Sequence, residues 1–195
     1  SAHQVAEVAC ASCHQVHNGH DKVRDKKTQA EVCFTCHKEQ RSDSKKISHH
    51  AMAEGKVTCA DCHNAHGSTG PKLLKKNTIH ETCATCHAEK RGPFLWEHQP
   101  VAEDCSNCHT PHGSNVAPLL KGRPNFLCQN CHDGAHQSGS LFGPVSAGYQ
   151  GGLTVRNSAN TTNAQPSVGQ VGKACLNCHT MVHGSNSPTG AWLHR

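Results

Sequence analysis

Apolar side chains are thinly scattered along this chain, and Gly and Pro, with 17 and 9 residues, interrupt them often. No run of 18 apolar residues occurs, so no segment is predicted to cross a membrane as a helix. Long regular elements are not expected either. Short helices are predicted where Ser/Thr-x-x-Glu capping boxes precede an apolar position, at Thr28-Gln29-Ala30-Glu31 and Thr78-Ile79-His80-Glu81. The lysine-rich stretches GPKLLKKN (70–77) and APLLKGRPN (117–125) read as surface loops. Residues 137–173 are rich in Gly, Ser, Asn and Gln and carry charge only at Arg156 and Lys173. They read as a polar loop, mobile or partner-contacting.

Hydrophobic residues make up 34% of the 195 positions, and setting aside the 14 cysteines, 7% of the chain, leaves about 27%. That is too little for a side-chain core of this size. Either the chain is unfolded alone or something else fills its interior.

The cysteines decide between these. All 14 fall in seven Cys-x-x-Cys-His groups: Cys10/Cys13/His14, Cys33/Cys36/His37, Cys59/Cys62/His63, Cys83/Cys86/His87, Cys105/Cys108/His109, Cys128/Cys131/His132 and Cys175/Cys178/His179. A disulfide framework needs no histidine after each second cysteine. Thioredoxin-like motifs come singly, and structural zinc takes four tetrahedral ligands, commonly from two spaced pairs. Cys-x-x-Cys-His is the signature of covalent c-type haem, with two thioethers fixing the porphyrin edge and the histidine placed to bind iron. Seven covalently bound c-type haems are therefore predicted, and they form the core. The fold class that follows is a multihaem cytochrome c, mostly coil with short α-helices and little or no β-sheet, drawn out as an elongated rod of stacked haems. Attachment of such haem takes place outside the cytoplasm, so an exported protein is expected. The start at Ser1, without methionine, n-region or h-region, reads as a processed chain or a fragment.

The formal charge of +5 suggests a polyanion partner until the cofactors are added. Each ferric haem with two neutral histidines carries about one net negative charge, so seven bring the total to roughly −2. Lys and Arg then read as propionate partners and solubilising charges, and nucleic acid is excluded as a partner.

Successive motifs are of two alternating kinds. The first, third, fifth and seventh read CASCHQVH, CADCHNAH, CSNCHTPH and CLNCHTMVH, each with a second histidine three or four residues on; the others read CFTCHKEQR, CATCHAEKR and CQNCHDGAH. One elongated domain over 1–195 is expected, with two-haem repeats at about 1–48, 49–97 and 98–136, the polar loop 137–173 and a last haem segment 174–195.

Twelve histidines remain for the second axial positions. His3 and His98 stand seven residues before a first cysteine and His50 nine, which assigns them to the first, fifth and third irons. A histidine three residues after a proximal ligand cannot fold round to the other face of the same porphyrin. His183 then looks back to the sixth haem, His112 to the fourth and His66 to the second, while His136 takes the seventh. His17 is left for an upstream haem absent from this chain. His20, His49, His80 and His194 read as surface or propionate contacts.

The segments CASCHQVH, CHAEKRGPFLWEH and CLNCH followed by VHGSN, with the non-ligand Trp96 and Glu97 among them, resemble the MtrA/DmsE family of periplasmic decahaem cytochromes. The resemblance covers nearly the whole chain. It implies a haem rod held inside an outer-membrane β-barrel porin, in the periplasm. Its partners would be periplasmic or inner-membrane cytochromes on one side and an extracellular multihaem cytochrome, terminal reductase or mineral on the other. The chain differs in having seven motifs for ten, so it matches the C-terminal seven-haem portion.

The function expected is electron transfer along a bis-histidine haem chain, not catalysis, since saturated iron binds no substrate. The alternative is a multihaem oxyanion reductase with one open haem, the seventh being the candidate because His136 reaches it across a long loop.

Overall fold

A computed structural model describes residues 1–132, 155–157, 160–164, 174–188 and 190–193. Seven short α-helices occur in it: α1 (Ala2–Val5), α2 (Gln29–Phe34), α3 (Lys38–Asp43), α4 (Cys59–Cys62), α5 (Ile79–Ala84), α6 (Gln99–Glu103) and α7 (Pro124–Gln129). None exceeds six residues. Single 3-10 turns add Cys10–Ser12, Cys105–Asn107 and Cys175–Asn177. The two kinds of motif in sequence are thus two kinds of structure. Helices α2, α5 and α7 run into the first cysteine of the even motifs, whereas the odd motifs are one isolated turn. One addition to the expected coil is a small antiparallel ribbon, β1 (Val155–Asn157) with β2 (Asn160–Ala164), in register Val155 to Ala164 and Asn157 to Asn160. It lies within the stretch expected to be a loop, where Val155, Thr161 and Thr162 supply β-branched residues.

One of the two predicted capping boxes forms. The Thr78 hydroxyl accepts from Glu81 N–H at 3.0 Å, and the Glu81 carboxylate accepts from Thr78 N–H at 3.2 Å. Thr28 does not cap α2, because its hydroxyl instead donates to the Lys22 carbonyl at 2.7 Å. A third box, unexpected because Asp replaces Glu, starts α4: Asp61 accepts from Thr58 N–H at 2.7 Å and from its hydroxyl at 2.9 Å.

Among the described residues the buried apolar side chains are Ala30, Phe34, Leu74 and Leu120. The lysine-rich stretches are therefore not simple surface loops. Their lysines are exposed, but Leu74 and Leu120 fold in and fasten each loop to the odd motif before it. Asn64 N–H donates to the Leu73 carbonyl and Lys75 N–H to that of Cys62, at 2.7 and 2.8 Å. Thr110 to Leu119 and Lys121 to Cys108 repeat the pair at 2.7 and 2.9 Å.

The expectation is one domain; the chain packs as two compact units. The first comprises Ser1–Pro93 and Glu97–Lys121, the second Phe94–Trp96 and Gly122–Arg195.

Candidate functional site

All seven motifs close the same turn. The histidine N–H donates to the carbonyl of the first cysteine, from 2.9 Å at His14, His63 and His179 to 3.1 Å at His109. Positions i, i+3 and i+4 of one turn share a face, so two thiols and an imidazole point the same way. None of the 14 cysteines is in a disulfide. Neighbouring motifs also meet. The Cys33 thiol bonds to Cys59, which raises its own pKa and lowers that of Cys59 to about 7. Cys83 is pushed up to about 12 by burial first and then by Cys105.

The second ring nitrogen of several site histidines is tied down. His63 Nδ1 lies 2.9 Å from the Lys72 carbonyl, His109 Nδ1 2.9 Å from that of Pro118 and His179 Nδ1 2.6 Å from that of Trp192. His3 and His50 use the carbonyls of Ala65 and Pro111, at 3.1 and 2.8 Å. With Nδ1 donating to a carbonyl, Nε2 is the nitrogen left to bind metal.

Four imidazole pairs face each other. His14 and His66 have ring centres 5.9 Å apart, His3 and His37 6.0 Å, His63 and His112 6.1 Å, and His50 and His87 6.4 Å. A histidine nitrogen binds a first-row metal at about 2.0 Å and the ring centre lies roughly 1.1 Å behind it, so two rings flanking one ion stand about 6.2 Å apart. The donor set and its spacing fit a haem iron between each pair. Burial first, and then His63, hold His112 below the ordinary imidazole value, which favours the neutral form that a metal requires.

These pairings of rings differ from those that spacing suggested. His66 stands against the first motif, not the second, and His3 against the second, not the first. His112 belongs with the third motif in place of the fourth, and His50 with the fourth in place of the third. The physical reason is an interlock between residues more than 60 apart. Ser1 Oγ donates to the Ala65 carbonyl at 2.8 Å, carrying His3 with it. Ser48 and Ser114 exchange both backbone hydrogen bonds, at 2.9 and 2.8 Å. Trp96 and Ser185 do the same, each at 2.9 Å. The signal for this was the repeated His-Gly-Ser of 66–68, 112–114 and 183–185. Ser114 and Ser185 are buried, at 7% and 1% exposure, and the Ser114 hydroxyl closes onto the Leu120 carbonyl.

His80, expected at the surface or against a propionate, is only partly exposed. Half-buried, its Nδ1 lies 3.0 Å from the Val101 carbonyl and 4.0 Å from Cys105 Sγ. Gln29 and Asn125, in the matching helices, likewise reach the next odd motif, accepting from Ala60 N–H at 2.9 Å and Cys175 N–H at 3.3 Å. His20 pairs with Asp25 at 3.3 Å and His49 bonds to the Lys46 carbonyl at 2.6 Å, both exposed as expected. His136 and His194 lie outside the described residues.

Residues 3–42, 49–92 and 98–137 each match the doubled CXXCH motif family. The multiheme cytochrome MtrA of Shewanella baltica (strain OS185) is 47% identical over 195 residues, which is 100% of this chain and 55% of that protein. The chain spans about half the length of that curated relative. No helix among the described residues is long and apolar enough to cross a membrane. Two cysteines with a histidine directly after them in every motif, a matched two-motif unit covering most of the chain and the likeness to a multihaem cytochrome lead to one assignment: the chain belongs to the doubled CXXCH motif family and is a multihaem c-type cytochrome.

Proposed function

We propose that this chain is an electron conduit with seven bis-histidine haems. The observation that supports it most is the set of four imidazole pairs at 5.9–6.4 Å. Bound between such rings, haem supplies an iron that accepts and releases one electron. A pair of rings leaves that iron no site for substrate, so the protein's part is to hold, space and tune the cofactors. The thioethers come from Cys10, Cys13, Cys33, Cys36, Cys59, Cys62, Cys83, Cys86, Cys105, Cys108, Cys128, Cys131, Cys175 and Cys178. Proximal ligands are His14, His37, His63, His87, His109, His132 and His179. Distal ligands are His3, His50, His66 and His112 in the pairs described, joined by His98, His136 and His183. His17 follows His14 as His66 follows His63, and it serves a haem held by residues other than these.

From the family resemblance of its motifs we infer that the conduit works in the periplasm within an outer-membrane β-barrel porin. It exchanges electrons with a periplasmic or inner-membrane cytochrome and with an extracellular multihaem cytochrome or terminal reductase.

Low-temperature EPR of the oxidised, haem-loaded chain tests the conduit, with spins counted against total haem. All iron is expected to be low-spin, in at least two classes. Ring planes are near parallel at His14/His66 (11°) and His63/His112 (23°) but crossed at His3/His37 (88°). Parallel planes split the two iron orbitals that overlap them, and crossed planes leave those orbitals nearly degenerate. A high-spin fraction of about one seventh or more overturns the reading in favour of an open, catalytic haem.

A further inference from the structure

Three of the four odd motifs hold their proximal imidazole with the same neutral clasp. The chain returns through a leucine at positive φ, Leu73 (60°), Leu119 (58°) or Leu193 (54°). The carbonyl just before that leucine takes the imidazole N–H. The leucine's own carbonyl takes a backbone N–H from Asn64, Thr110 or Met181, at 2.7, 2.7 and 3.0 Å.

The first motif lacks this loop and substitutes a carboxylate. His14 Nδ1 donates to Asp21 Oδ2 at 2.8 Å, and Gln15 N–H donates to Asp21 Oδ1 at 3.3 Å. One side chain thus takes over both carbonyl positions, and it brings a full negative charge. Asp21 is 15% exposed and His14 30%, so solvent screens that charge only in part. The nearest parallel, Glu89, stands 3.8 Å from His87 Nδ1, beyond hydrogen-bond range, with both side chains more than half exposed.

We propose that Asp21 is a tuning residue that holds the haem of Cys10 and Cys13 at a lower reduction potential than the haems whose proximal histidine bonds to a backbone carbonyl. This rests on His14 being an axial ligand, as proposed above. A carboxylate on Nδ1–H draws the proton toward itself and leaves the imidazole more electron-rich, which favours ferric over ferrous iron. One electron exchanges with a neighbouring haem; no bond is made or broken, and the proton stays between His14 and Asp21 in both oxidation states. Asp21 therefore sets the size of one energy step along the chain.

The test is an optical redox titration of the haem-loaded chain beside its Asp21→Asn and Asp21→Glu variants, with low-spin haem counted in each. Asparagine keeps an acceptor for the imidazole and removes the charge; glutamate keeps the charge. In Asp21→Asn, about one seventh of the amplitude is expected to move upward by at least tenfold in its redox equilibrium, or 59 mV for one electron. The remainder should stay in place, and Asp21→Glu should recover most of the shift. No component moving in Asp21→Asn with every haem still low-spin would overturn the proposal, as would equal shifts in both variants. Incomplete low-spin ligation of the unmutated protein would instead count against the conduit itself.

Discussion

Gly113→Ala probes the interlock that sets the axial pairs. A methyl group on Gly113 would run into the backbone carbonyl of Asp43 at the end of α3, an obstacle that cannot rotate away as a side chain could. The residue also holds φ at +155°, a conformation that alanine avoids. Strain of this kind costs about 1–3 kcal/mol. Relief requires that residues 112–114 lift from α3, and that separates the Ser48–Ser114 pair, whose two backbone hydrogen bonds contribute about 1 kcal/mol each. The expected loss is therefore about 3–5 kcal/mol of local stability.

Lifting this segment also moves His112 away from His63 and the Pro111 carbonyl away from His50, so two of the proposed iron sites are affected at once. The assay is guanidinium denaturation of the haem-loaded chain, followed by its Soret band, together with a low-spin haem count. Gly122→Ala is the control, since nothing lies within 4 Å of a methyl group there. It should change stability by less than about 0.5 kcal/mol. Equal midpoints and equal spin counts for the two variants would refute the steric account and the coupling of His112 to His50.

Two further outcomes follow. His66→Ala should make the haem of the first motif high-spin, not that of the second; with Cys10 and Cys13 also replaced, the same mutation should produce no high-spin signal. Removing the haems should abolish cooperative thermal unfolding by circular dichroism. With Ala30, Phe34, Leu74 and Leu120 the buried apolar residues among those described, a haem-free chain that still melts sharply would contradict a haem-built core.

The attachment sites were legible because their chemistry is local. Two thiols and an imidazole on one turn are determined by five consecutive residues, whatever the rest of the chain does. The histidines available as distal ligands could be counted in the sequence. Their partners were not, because reasoning from spacing gives each histidine to the nearest haem. His3 is seven residues from Cys10, yet Ser1 and His3 are both fastened to Ala65. Contacts more than 60 residues apart leave no mark in local spacing. The repeated His-Gly-Ser was in plain view as a pattern, but its meaning depends on which backbone the glycine lets approach. Likewise Thr28 and Thr78 look equivalent in sequence, and only the competing Lys22 carbonyl separates them.

The interlock explains why a chain with so little apolar side chain can fix the register of its cofactors. His50 is braced by the carbonyl of Pro111, and the next residue, His112, faces His63. His3 is braced by Ala65, and the next residue, His66, faces His14. On the ligation proposed above, each brace ties the distal ligand of an even motif to that of the preceding odd motif through one peptide unit. A slip of one residue would turn one imidazole away from its iron and strip the other of its orienting carbonyl, so two metal bonds would be lost for one register error. On that ligation, iron–histidine bonds reward only the matched arrangement and supply the specificity that close packing of side chains gives an ordinary domain.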